Sequence, residues 1–90
     1  MKITRTVDKH GAIRYRNESG QLHREDGPAY EDKHGYKVWL IKGKRHREDG
    51  PAIENVTNGT KLWYLQDKKL TEEEFNDLLL RKRLQRIIEL

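Results

Sequence analysis

Residues 23–29 read HREDGPA, and residues 46–52 read HREDGPA again. Catalytic sites are assembled once, from different residues brought together. An identical segment that returns after 23 positions marks a part used twice, so the unit comes before any site. Working outward, DKHG at residues 8–11 recurs at residues 32–35. Tyr15, Trp39 and Trp63 each stand four residues past a glycine, at Gly11, Gly35 and Gly59. A second turn follows at Gly20 and Gly43, with Asp67 in the corresponding place. The chain therefore holds about three units of roughly 23–24 residues, the first without its heptapeptide.

Each unit reads as a β-hairpin. PAYEDKHGYKVWLI and PAIENVTNGTKLWYL are two short runs around His-Gly or Asn-Gly. Asn-Gly favours a two-residue turn in which both residues take positive φ. The second runs are rich in Val, Leu, Ile, Trp and Tyr, which suit a pleated surface. HREDGPA then links one hairpin to the next. Pro28 and Pro51 lack an N–H and fit the start of a strand, and the ring biases Gly27 and Gly50 to extended geometry. Ala29 and Ala52 are small where units approach. Arg24 with Glu25 and Asp26, and Arg47 with Glu48 and Asp49, are placed to pair between units. His23 and His46 complete the linker.

The bulk numbers agree with a thin sheet. The 90 residues make one domain, with 33% hydrophobic and 38% charged residues and a net charge of +4. A chain of that size buries only about 60–70% of its unfolded surface. With no cysteine, disulfides, thiolate zinc sites and Cys nucleophiles drop out. The opening residues carry no secretory signal and no apolar run nears the roughly 20 residues a membrane helix needs. The expectation is an intracellular, cytoplasmic protein without membrane insertion.

The pattern changes period near residue 70. Thr71 and Glu74 form a capping-box pair. Glu72, Glu73 and Glu74 then precede Arg81, Lys82, Arg83 and Arg86, the order a helix dipole favours. This predicts a helix over residues 71–89, within a C-terminal segment 70–90 that follows a repeat sheet of residues 1–69. Its apolar residues form two stripes. Phe75, Leu78 and Leu79 lie on one side, and Leu80, Leu84, Ile87 and Ile88 nearly opposite. One stripe can dock on the sheet; the second points to another molecule, a homodimer among the possibilities. The expected class is mainly β: a twisted antiparallel meander of about three repeated hairpins plus one amphipathic helix.

WLIKGKRHREDGPAIENVTNG, residues 39–59, resembles the MORN repeat. Trp39, Gly43, His46, Gly50 and Gly59 take the places of its aromatic strand, its turns and its His-Gly lead. The match is closer to the MORN-like variants of bacterial and phage proteins, and covers residues 8–69 but not the helix. Arg14 and Arg16 around Tyr15, and Asp67 for a glycine, depart from the pattern as terminal caps of a short array do. The resemblance implies an interaction scaffold without catalytic residues. In small phage proteins it implies an accessory factor that binds host proteins, defence components included.

Chemical readings are weaker. His10, His34, His23 and His46 fall in repeat-related pairs about 10 Å apart on neighbouring units, too far to share a zinc with N bonds of about 2 Å. Ser19 is the lone serine, and no phosphate-cradling G-x-x-x-x-G-K loop is present. No enzyme, metal or cofactor is expected. Tyr15, Trp39 and Trp63, with Ile41 and Leu65 beside them, share a strand face. They are the expected partner-binding row, with the alternative that they form core. Arg81, Lys82, Arg83 and Arg86 support a second reading, nucleic-acid binding through the helix end.

Overall fold

The computed structural model describes residues 2–89, with side chains described through residue 86. The repeats build β1 (Thr4–Val7), β2 (Ile13–Arg16), β3 (Tyr30–Glu31), β4 (Tyr36–Val38), β5 (Leu40–Ile41), β6 (Lys44–Arg45), β7 (Ile53–Asn55), β8 (Thr60–Leu65) and β9 (Lys68–Leu70), followed by α1 (Glu72–Glu89). The strands run antiparallel in the order β1-β2-β3-β4-β7-β8-β9, with β5-β6 as a separate hairpin. The protein is a mainly β meander finished by one helix.

In the first two units the chain changes hydrogen-bonding partner at its row aromatic. Tyr15 donates its N–H to Ala29 O (2.9 Å) in the main sheet, while its carbonyl accepts from His23 N (2.9 Å). Trp39 does the same with Ala52 O (2.8 Å) and His46 N (3.1 Å). One residue thus serves two ladders, and the strand changes partner without leaving a buried amide unpaired. Beyond Trp39 the chain folds into β5-β6, where Leu40 faces Arg45.

The first turns differ from the two-residue form expected from Asn-Gly. Gly35 (φ 82°) and Gly59 (φ 77°) are left-handed, but His34 and Asn58 before them are not. Asp32 explains the wider turn: its Oδ1 accepts from His34 N (2.9 Å) and Tyr36 N (3.2 Å). Asn55 holds Thr57 N in the same manner. Such side chains replace backbone turn bonds. Two consecutive left-handed residues occur instead at the second turns, Lys42–Gly43 and Gln66–Asp67.

The core lies on the sheet face that carries Val38, Leu40, Ile53, Leu62 and Tyr64. Tyr30 pairs with Val38, Val38 with Ile53 and Ile53 with Leu62, so their side chains stack across four strands on one side. Ala29 and Ala52 are fully buried at the joints between units. In the first unit Arg14 takes the apolar position, lies over the Tyr30 ring and binds Asp8 at 2.8 Å. The Arg14 hydrogen bond, helped by the amides of Ala12 and His10, lowers the Asp8 pKa to about 2.

The helix begins with its reciprocal capping box. Thr71 N donates to Glu74 Oε1 (2.9 Å), and Glu74 N to Thr71 Oγ1 (3.1 Å); the first of these bonds lowers the Glu74 pKa. Phe75 is buried and Leu79 half-buried where α1 packs on β8 and β9. Leu78, placed on the same stripe by sequence, is exposed. At 100° per residue it stands about 100° from Leu79 and overhangs the contact.

Candidate functional site

The heptapeptide is a folded loop, organised by its arginine. Arg24 Nε donates to Asp26 Oδ1 (2.9 Å) and its Nη1 to Pro28 O (3.3 Å). Arg47 repeats both bonds, to Asp49 (2.8 Å) and Pro51 O (3.0 Å), and adds Glu54 (3.3 Å). The charge pairing expected between units is therefore made inside each loop. An aspartate two residues past the arginine closes the loop before the chain leaves it. The guanidinium then lies over the row aromatic that precedes it, Arg24 over Tyr15 at 4.1 Å and Arg47 over Trp39 at 3.8 Å. A Cβ at Gly27 would stand 2.8 Å from Arg24 Cζ, and one at Gly50 would stand 3.0 Å from Arg47 Cζ. Those cations are pinned by their bonds, so glycine is required for space rather than for a rare φ.

The histidine of each loop reaches forward into the next unit. His23 Nδ1 accepts from Lys42 N (2.8 Å) and His46 Nδ1 from Gln66 N (2.9 Å), which places each ring proton on Nε2. The same second turns close on the preceding strand, Gly43 N donating to Leu22 O and Asp67 N to Arg45 O. Asp67 adds a side-chain clamp, accepting from Arg45 Nε at 2.6 Å. That hydrogen bond lowers the Asp67 pKa.

These loops divide one side of the molecule into a row of clefts. The first, about 710 Å³, is lined by Tyr15, Ile3 and Arg5 together with Glu25 and Asp26. A second of about 630 Å³ lies between the two loops, with Trp39 and Ile41 lining it. The third, about 360 Å³, contains Trp63 and is bounded by Glu48–Pro51 and by Phe75, Leu79 and Arg83 of α1. Tyr15, Trp39, Ile41, Trp63 and Leu65 are all half-buried. Leu65 sits beyond Trp63 at the end of β8, opposite Lys68. The row is thus shared between internal packing and open cleft wall. What sequence reasoning missed was the arginine stack, although an arginine eight or nine residues past Tyr15 and Trp39, in each copy of the heptapeptide, was a usable signal.

On α1, Leu80 (54% exposed) and Leu84 (50%) face away from the sheet. The side chains of Ile87 and Ile88, assigned to that face from the sequence, lie outside the described residues. Arg81, Lys82, Arg83 and Arg86 are exposed. They are not a free basic cluster, because Lys82 Nζ is bound to Glu48 Oε1 at 2.7 Å. That bond lowers the Glu48 pKa. Among the described residues no group of three or more His, Asp or Glu side chains is arranged to hold a metal ion. None of the described helices is long and apolar enough to cross a membrane. Compared with protein-family models, curated proteins and solved structures, the chain returns no match.

The loop geometry predicts that Arg47→Lys lowers stability by roughly 1–2 kcal/mol. A lysine keeps the charge but loses the guanidinium's contact with the Trp39 ring and the forked bonds to Asp49 and Pro51. A urea midpoint equal to that of the unaltered chain would remove the stack as a structural element.

Proposed function

We propose that this protein is a non-enzymatic protein-binding module. The observation that carries the reading is the row of clefts with half-exposed aromatic walls at unit spacing. Trp and Tyr set in partly desolvated pockets are frequent anchors of protein interfaces. In its sharper form, which rests on the MORN-like resemblance, the protein is a small phage accessory factor. It binds and inhibits a host defence or regulatory protein in the host cytoplasm. A homodimer through the exposed Leu80 and Leu84 face is compatible with this role.

Ile41 gives the cleanest test, because it lines the central cleft without carrying an arginine stack. Ile41→Asp is expected to abolish capture of the partner from host lysate and to leave the far-UV spectrum unchanged. Undiminished capture would remove the cleft row as the binding face. The second reading, nucleic-acid binding, rests on the exposed Arg81, Arg83 and Arg86. It predicts affinity for DNA or RNA that falls steeply with salt.

A further inference from the structure

The protein already holds a helix against one of its heptapeptide loops. On α1, Phe75, Leu79 and Lys82 occupy positions i, i+4 and i+7, which share a face. Phe75 and Leu79 line the third cleft together with Glu48–Pro51, and Lys82 Nζ bonds Glu48 at 2.7 Å. The twin loop presents the same atoms with no helix on them. Its Glu25 side chain is 81% exposed, with His23 Nε2 at 3.7 Å, and it borders the open central cleft with Trp39 and Ile41.

We propose that this face docks a lysine-bearing amphipathic helix of a partner protein, laid across both loops, with a lysine on Glu25 and apolar side chains over Ile41 beside the Arg47-covered Trp39. The proposal rests on the protein-binding reading and specifies the partner's chemistry. Spacing supports a helix. Neighbouring units stand about two strands, or about 10 Å, apart, and i,i+7 residues on a helix are about 10.5 Å apart. Charge supports lysine: Asp26, Asp49 and Glu48 are committed to Arg24, Arg47 and Lys82, and among the described residues Glu25 makes no ion pair with a lysine or arginine. The repeat is inexact in one respect. Over Trp39 the Arg47 guanidinium holds the place that Phe75 and Leu79 take beside Trp63. The incoming helix therefore rides on the loop rims and buries less than α1 does.

A labelled peptide with the sequence of residues 71–89 is the probe, added to the full-length chain and followed by fluorescence anisotropy. Saturable binding is expected, weakened about tenfold by Glu25→Lys, since reversing an exposed pair turns attraction into repulsion. A peptide carrying Lys82→Glu is expected to recover most of that loss on the Glu25→Lys chain. Absence of binding at millimolar peptide overturns the proposal, as does binding indifferent to Glu25→Lys. Binding that instead follows Glu48→Lys places the peptide on the seat of α1 and overturns it too. Self-association of the unaltered chain that Glu25→Lys abolishes assigns the cleft to a second copy, which also overturns it. If lysate capture is lost with Ile41→Asp but untouched by Glu25→Lys, the binding function stands and this inference alone fails.

Discussion

An Ala52→Leu chain is expected to melt about 12–24 °C below the unaltered protein. Ala52 is fully buried at the joint between the second and third units. Its N–H donates to Leu62 O and its carbonyl accepts from Trp39 N, both at 2.8 Å, so strands are closed on it from two sides. It belongs to the same cluster as Ile53 and Tyr64. Three added carbons there force either the backbone bonds or the neighbouring rings apart. Overpacking of a tight core costs about 1–3 kcal/mol, and the upper end applies where backbone lines the site. For a domain of this size each kcal/mol moves Tm by about 4–8 °C. Ala29→Leu is expected to behave alike, because Ala29 repeats the burial and donates to Val38 O at 2.8 Å. Differential scanning calorimetry decides the matter. Two variants melting with the parent would mean that the units are not packed at these alanines.

The second large effect is expected at His23, and it separates packing from hydrogen bonding. His23 is 2% exposed, and its Nδ1 is the acceptor for Lys42 N–H across the unit boundary. His23→Ala removes a buried ring and leaves that amide without its acceptor, a combined loss of roughly 2–3 kcal/mol. His23→Asn sets an amide oxygen near the former Nδ1 position, so it is expected to recover about 1 kcal/mol of the loss. His46→Ala, at a half-buried copy of the same position, is expected to lose about half as much as His23→Ala. Urea unfolding gives all three numbers. Equal losses for the Ala and Asn variants would show that the ring packs and the Lys42 bond contributes nothing.

Much of the fold was legible in the letters because the repeat signals are local. His34-Gly35 and Asn58-Gly59 marked the place of each turn, though not its width, which Asp32 and Asn55 set, and Thr71 with Glu74 marked the helix start. The site was less legible. Arg24 and Asp26 were visible as neighbours, but that they pair within one loop, and so free the guanidinium to lie on Tyr15, depends on backbone geometry that adjacency does not reveal. His23 and Lys42 are 19 residues apart, and no local pattern joins them. On the helix, both apolar stripes were readable. Which of them docks was not, because the choice depends on the space beside Trp63 and on a glutamate in a loop 34 residues earlier.

By itself the sequence determined a short array of hairpin units, joined by a heptapeptide and followed by a capped helix. Turn chemistry and strand periodicity act over a few residues, and the repetition states them more than once. Tertiary structure alone decided how the units adhere. Stacked arginines, forward-reaching histidines and buried alanines act between residues about 8 to 20 positions apart. Their energies depend on distance and burial, which exist only after the chain has folded.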